Sequence, residues 1–324
     1  MEIGRIRWCV VAVFWTIMLS GSSCADVESE PKGGRKSDAS PLLVDLFIAG
    51  THDSGAINGL AGCQDITLEE QLRRGIRAFD IRLVDRYDGS GKMDVYHGVV
   101  RYPLELTTNI LPLFVSFLEA YPEEFVIVSL RKEDDSNGTP EHYASYEASL
   151  LRALSAPEVS DHVYRRPLTL KTTKRDLAGK IVIFSRNKFS EGVPLPQYDS
   201  FGHNKTARAS LVWPGRGWAP FPLLVEDAYV VKDIIHKSDK KRAVREALEL
   251  ATEQDRDELN IFFISGSAPA TPLGVAKVMN PYTLDLLKGM ETPPPGIYFV
   301  DFAGRKETKE LIDYLHELNN RNGK

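Results

Sequence analysis

Cysteine is scarce in this chain, and its placement rules out a disulfide framework. Only three cysteines occur in 324 residues. Cys9 and Cys24 fall in an N-terminal apolar segment, and Cys63 alone lies beyond it. Stability must therefore come from a packed core and not from cross-links. Excess positive charge is also missing: Lys and Arg total 40 against 45 Asp and Glu, for a net charge of -5. Such a chain has no broad basic field, which argues against nucleic acid as a partner. After residue 19 no apolar run is long enough to cross a bilayer. There is no Cys-rich or His-x-x-x-His metal signature, and no Gly-x-Gly-x-x-Gly follows the first strand-like run. What is present is a globular composition, 43% hydrophobic and 26% charged, enough to bury a real core.

The N-terminus reads as an export signal. Arg5 and Arg7 precede the apolar run Trp8 to Leu19, and Ser23-Cys24-Ala25 fits a cleavage site that leaves Asp26 first. Residues 1–25 are thus expected to be a signal peptide and the mature chain secreted. Residues 26–40 are charged, small and aperiodic, and are expected to form a disordered leader. The working domain is placed at 41–320. Asn137-Gly138-Thr139 and Asn204-Lys205-Thr206 are glycan acceptor triplets if the host is eukaryotic.

From there, apolar strand-like runs alternate with helical segments. The strands are Leu43 to Ile48, Ile76 to Leu83, Met93 to Tyr96, Phe125 to Leu130, Ile181 to Phe184, Leu223 to Val225, Ile261 to Ile264 and Ile297 to Phe302. Helices are expected over Leu68 to Arg74, Leu106 to Ala120, Tyr143 to Leu154, Ala243 to Glu253, Pro281 to Lys288 and Glu307 to Leu318. Eight strand–helix alternations with uneven spacing predict an α/β fold, a single irregular (β/α)8 barrel of the TIM type. An open doubly wound sheet is the rival. The charge run Lys237 to Arg245 reads as a solvated helix face, with contact to anionic lipid head groups as the alternative.

Polar residues collect where the runs end. His52 and Asp53 follow the first, between Gly50 and Gly55. Asp80 and Arg82 interrupt the second, and His97 ends the third. Arg131, Arg186, Asp227 with Tyr229, and Asp301 follow later runs. If the strands are parallel, these residues converge on one mouth. Two imidazoles can serve as general base and general acid across one bond, and a guanidinium fork matches phosphate oxygens. That set suits metal-free cleavage of a phosphodiester by an internal hydroxyl. The other five histidines, His142, His162, His203, His236 and His316, read as surface residues. Asp80–Arg82 also reads as a sheet-edge ion pair, and Asp301 as a turn cap.

The ordered set Gly50-Thr51-His52-Asp53-Ser54, Phe79-Asp80-Ile81-Arg82, His97-Gly98, Ser129-Leu130-Arg131-Lys132-Glu133, Gly179-Lys180-Ile181-Val182, Trp213-Pro214 and Asp301 resembles the X-domain of phosphatidylinositol-specific phospholipase C. The resemblance is to the bacterial, metal-independent type and spans residues 40 to 320. It implies that His52 is the base on the inositol 2-hydroxyl, with Asp301 fixing its tautomer. His97 is the implied acid toward the diacylglycerol oxygen, with Asp53 as partner, and Arg82 stabilises the phosphate. Arg131, Arg186, Asp227 and Tyr229 align with positions that hold the inositol ring. The implied products are diacylglycerol and inositol 1,2-cyclic phosphate, without cofactor or metal.

Two departures from the family pattern stand out. Arg131 replaces the usual lysine of the bacterial enzymes, which keeps charge but changes geometry. Asp53 and Arg82 stand where the calcium-dependent animal enzymes place a metal-binding asparagine and a carboxylate, so no calcium requirement is expected. The aromatic, proline-rich stretch around Trp213, Trp218 and Phe221 is a candidate membrane contact, with packing over the barrel as its alternative. A phosphatidylinositol-containing membrane surface is the expected partner, contacted peripherally and transiently, and no protein partner is inferred. The rival functions are a metal-dependent phosphodiesterase of the glycerophosphodiester or sphingomyelinase D kind, and a catalytically inactive lipid- or glycan-binding module.

Overall fold

The computed structural model describes residues 40–322 except 60, 134–137, 253–256 and 268. The expected signal peptide, residues 26–39 of the expected leader and the Asn137 acceptor lie outside the described residues. In chain order the elements are β1 (Phe47–Thr51), α1 (Leu68–Arg73), β2 (Ala78–Asp85), β3 (Met93–His97), β4 (Val100–Glu105), α2 (Leu111–Ala120), β5 (Phe125–Lys132), α3 (Pro140–Leu154) and α4 (Pro157–Ser160). They continue with β6 (Lys180–Ser185), β7 (Gln197–Tyr198), β8 (Thr206–Val212), β9 (Phe221–Glu226), α5 (Ser238–Thr252), β10 (Leu259–Phe263), α6 (Pro272–Gly289), β11 (Gly296–Val300) and α7 (Lys306–Asn322). Helix starts follow local chemistry. Thr67 and Glu70 form a reciprocal capping box on α1, and Thr139 and Thr271 cap α3 and α6.

Nine strands close a ring in the order β1, β11, β10, β9, β8, β7, β6, β5, β2, with β2 returning to β1 through Gly50–Ala78 and Thr51–Phe79. All neighbours in the ring are parallel except those of β8, which runs antiparallel to both β7 and β9. The fold is thus a closed, irregular TIM-type barrel of nine strands, where the alternation of apolar runs predicted eight. The extra pieces, β7 and β8, are short or polar-rich and lack a helix between them. The third expected strand also changes role. β3 pairs antiparallel with β2, and β3–β4 form a hairpin outside the ring. The leading run Leu43 to Ile48 divides: Leu43–Asp45 is a 3-10 turn and β1 starts at Phe47.

Period-two alternation divides the core. Ile48, Ala78, Ile127, Val182, Val225, Ile261, Phe263, Ile297 and Phe299 face the barrel interior as one buried cluster. Phe47, Ala49, Phe79, Ile81, Val128, Ile183, Phe262, Tyr298 and Val300 face outward into a second cluster shared with the helices. Continuing the inward face to the C-terminal strand ends reaches His52, Asp80, Arg82, Arg131, Arg186, Asp227 and Asp301. The alternation that fills the interior therefore also delivers the polar residues to one mouth.

Gly50 serves packing and not ligand approach. A Cβ there would lie 2.8 Å from the Phe299 ring and 3.0 Å from Ala78 Cβ. The turn after β1 is made by Asp53 itself, at φ 42°.

The opposite end of the barrel is closed by apolar groups. β8 places Thr206 opposite Glu226 and Leu211 opposite Phe221, so the loop from Trp213 to Phe221 lies at the end of β9 remote from the mouth. Trp213 and Phe221 are 4% and 1% exposed and pack in the interior cluster with Leu43 and Leu177. Trp218 is half-buried, its ring edge-on to Trp213 at 5.8 Å. The membrane-contact expectation for Trp213, Trp218 and Phe221 is therefore corrected. Their loop follows an antiparallel strand, so the rings seal the closed end. The solvated-face reading of Lys237 to Arg245 also needs amendment: Lys240 is buried and ion-paired with Glu226 at 2.9 Å.

Candidate active site

The mouth gathers residues from distant parts of the chain. His52 follows β1 and Asp301 follows β11, two adjacent parallel strands. His52 Nδ1 lies 2.9 Å from Asp301 Oδ1, across 249 residues of sequence. On the other side of the ring, Arg82 Nη2 is 2.7 Å from His52 Nε2. A guanidinium only donates, so Nε2 accepts and the ring's hydrogen sits on Nδ1, directed at Asp301. Burial, then the Arg82 charge, hold His52 well below the ordinary imidazole range. Burial and the nearby Asp53 push the Asp301 carboxyl up. His52 is thus a neutral imidazole with a lone pair facing the mouth.

His97 arrives by a different route. β2 runs past the mouth to Asp85, and β3 returns with Val95 opposite Leu83, which brings His97 back to the level of Arg82. Its Nδ1 donates to Ala61 O at 2.7 Å, leaving Nε2 to face the site. Asp53 lies between the two rings. Its Oδ2 is 3.3 Å from His52 Nε2 and 3.4 Å from His97 Nε2, and its Oδ1 is 2.8 Å from Arg82 Nε. Burial pushes the Asp53 carboxyl up to about 6, against the pull of Arg82 and His97. The two Nε2 atoms therefore face each other across one carboxylate oxygen.

Two supporting carboxylates, Asp80 and Glu133, were not among the expected catalytic or binding residues. Asp80 is fully buried and lies 3.3 Å from Arg186 Nη2, and it accepts the Asp53 N–H at 3.3 Å. Burial raises its carboxyl, but Arg186 and Arg82 outweigh that and hold it well below the usual carboxylate range. The sheet-edge reading of Asp80–Arg82 fails, because Asp80 braces two guanidiniums inside the barrel. Glu133 accepts the Gly98 N–H at 2.7 Å and reaches Arg82 Nη1 at 3.5 Å. The signal for both was a charge on the inward parity of an apolar strand. Gln64 is a third residue the reading left out. It donates to His52 O and Val300 O at 2.8 and 3.0 Å, tying the ends of β1 and β11 together.

The other predicted residues surround this centre. Arg186 is stacked between Phe201 and Phe263, at 4.3 and 4.7 Å from the ring centroids. Arg131 is half-buried and 3.7 Å from Glu133. Asp227 is buried, and burial raises its carboxyl. Tyr229 is half-buried, its hydroxyl 2.8 Å from Nε2 of the exposed His203. Of possible metal ligands among the described residues, His52, Asp53 and Cys63 offer atoms within 4.8 Å of one another. Arg82 already occupies His52 Nε2 and Asp53 Oδ1, so this donor set suits a fixed guanidinium better than a dication.

The same architecture recurs in solved structures. A point variant of the phosphatidylinositol-specific phospholipase C from Staphylococcus aureus superposes with a TM-score of 0.68 at 26% identity, covering 86% of this chain and 94% of that one. In sequence, a 1-phosphatidylinositol phosphodiesterase from Staphylococcus aureus is 25% identical over 330 residues, 92% of this chain and 94% of the relative. A protein of the same name from Listeria monocytogenes is 30% identical over 158 residues, 45% of each chain. In both sequence and fold the chain is similar to the bacterial phosphatidylinositol-specific phospholipases C. No family model matches the chain. At the mouth of this barrel the His52–Asp301 and His97–Asp53 pairs give the two histidines unlike partners. Asp301 is reached only through Nδ1 and Asp53 only through Nε2.

Proposed function

We propose that this chain cleaves the phosphodiester of phosphatidylinositol, or of its glycosylated anchor form, to diacylglycerol and inositol 1,2-cyclic phosphate. The observation that carries the reading is the pair of Nε2 atoms facing each other over Asp53, with Arg82 beside them. His52 Nε2 takes the proton of the inositol 2-hydroxyl while Asp301 holds its Nδ1–H. The freed oxygen attacks phosphorus in the same molecule, so the nucleophile is already positioned. A phosphate oxygen competes with His52 for the Arg82 N–H, which releases the base and stabilises charge building on phosphorus. His97 delivers a proton from Nε2 to the departing diacylglycerol oxygen, and Ala61 O keeps its ring in orientation. Arg186, Arg131, Asp227 and Tyr229 line the space for the inositol ring. Arg82 takes the place of a metal charge, so turnover proceeds in EDTA.

Export belongs to the same proposal. Removal of residues 1–25 leaves Asp26 as the mature end, and N-terminal mass analysis of protein recovered from the medium tests it. Catalysis is tested by phosphorus NMR of the purified protein with phosphatidylinositol and EDTA. A cyclic phosphate signal is expected, and His52→Ala and His97→Ala each abolish it. Its absence from the wild type would defeat the reading.

A further inference from the structure

One lysine stands on the apolar stripe of a helix. The buried residues of α5 are Lys240, Val244, Ala247 and Leu248, spaced as a single helical face. That face packs against β9 and β10. The Lys240 side chain is fully buried, and so is that of Glu226 opposite it. An ammonium carries three hydrogens, and here each finds an acceptor. Lys240 Nζ donates to Glu226 Oε1 at 2.9 Å, to Glu226 Oε2 at 3.0 Å and to Phe263 O at 2.5 Å. Burying such a pair does little for the fold by itself. Desolvation offsets the attraction, and apolar residues of similar volume serve stability as well. What the pair does hold is backbone, at the ends of two adjacent parallel strands.

Glu226 ends β9 on the outward parity, between Val225 in the interior cluster and Asp227 on the inward face. Its Oε1 also accepts the Ala228 N–H at 3.0 Å. Ala228 lies between Asp227 and Tyr229, so a carboxylate behind the strand fixes the turn that carries both. Phe263 ends β10. Its ring centroid is 4.7 Å from the Arg186 guanidinium and 6.2 Å from the His52 ring, which it meets edge-on. We infer that Lys240 is a positioning residue for the inositol ring: from behind the barrel wall it clamps the ends of β9 and β10 and so holds Asp227, Tyr229 and the Phe263–Arg186 stack at a fixed spacing. The role rests on the phosphatidylinositol reading and deepens it. Lys240 touches no reacting atom and acts through Glu226 and the Phe263 carbonyl. A neutral side chain at 240 would pack on the same stripe but would leave those two groups without a common partner.

The test reads kcat and KM on a soluble inositol phosphodiester, together with Tm. Lys240→Met alone leaves a buried carboxylate without its cation and should lower Tm. Adding Glu226→Met removes that charge and should recover most of the lost Tm. In the folded double variant KM should nevertheless be about tenfold higher, with kcat within about twofold, as expected when contacts made equally to the ground and transition states are loosened. Arg242→Met, two residues along the same helix with its side chain 71% exposed, should change neither constant. A pair that served the fold alone would return KM to the wild-type value along with Tm. KM within about twofold of wild type in the double variant, a fall in kcat at unchanged KM, or a double variant that does not fold would each overturn the inference. Failure of the wild type to cleave the soluble diester counts separately, against the catalytic reading.

Discussion

The two ends of the barrel bury side chains on opposite terms. At the closed end, Trp213, Phe221, Leu43 and Leu177 pack together with little charge among them. At the mouth, Asp53, Asp80 and Asp301 are buried; Asp80 Oδ1, Arg82 Nε, Glu133 Oε2 and Arg186 Nη2 are held by ion pairs without hydrogen bonds, and Asp301 Oδ2 has no hydrogen bond. Burying charge without full satisfaction costs stability. The apolar end and the wall between barrel and helices must offset that cost. The lesson is a division of labour along the barrel axis: one end holds the fold, and the other holds buried ion pairs that a ligand can enter.

The sharpest way to break this comparison is to cut each end and ask what is lost. At the mouth, His52→Ala and His97→Ala should each lower kcat on phosphatidylinositol by about a thousand- to ten-thousandfold with little change in Tm. A variant that instead unfolded would show that the mouth also holds the fold. At the closed end, Trp213→Ala should cost about 3–5 kcal/mol in urea unfolding, while kcat per folded molecule stays within about twofold. Arg82→Lys keeps the charge but loses the fork that reaches His52, Asp53 and Glu133 together. It should cost about a hundredfold in kcat/KM with the fold intact. The smallest effect is in pH. Asp53 is ionised above about 6 and takes a proton below it, which removes the charge facing Arg82 and His97. The pH profile of kcat/KM should therefore fall on the acid side through about 6, whereas His52, held lower, stays neutral there. Asp53→Asn should be slower throughout and should lack that bend. An unshifted bend in that variant would assign the titration to another group.

Much of the mouth was legible in the sequence because period two is simple. Asp80 and Arg82 stand out against Phe79 and Ile81, and His52 and Asp301 each follow a continuous apolar run. The pairing of His52 with Asp301 came from family resemblance, and the geometry places them in contact. Strand direction was not legible. β8 carries Ala207, Ala209 and Leu211 between polar neighbours and gives no sign that it runs backwards, so the aromatic loop after it was assigned to the wrong end. β3 looked like one more parallel strand, although its short separation from β2 already favoured a hairpin. Lys240 was lost in a run of like residues, because only a buried partner, Glu226, distinguishes it from Lys241.

The adjacency of β1 and β11 has a consequence in time. His52 is in place early in synthesis, but the strand that delivers Asp301 is the last of the barrel to be made. Until β11 docks beside β1 the ring is open, Gln64 has no Val300 carbonyl to hold, and the base has no orienting carboxylate. A chain still short of its last strand therefore lacks an oriented base. In refolding, recovery of turnover should trail the recovery of helical signal, because closure between the chain's first and last strands is its most non-local step.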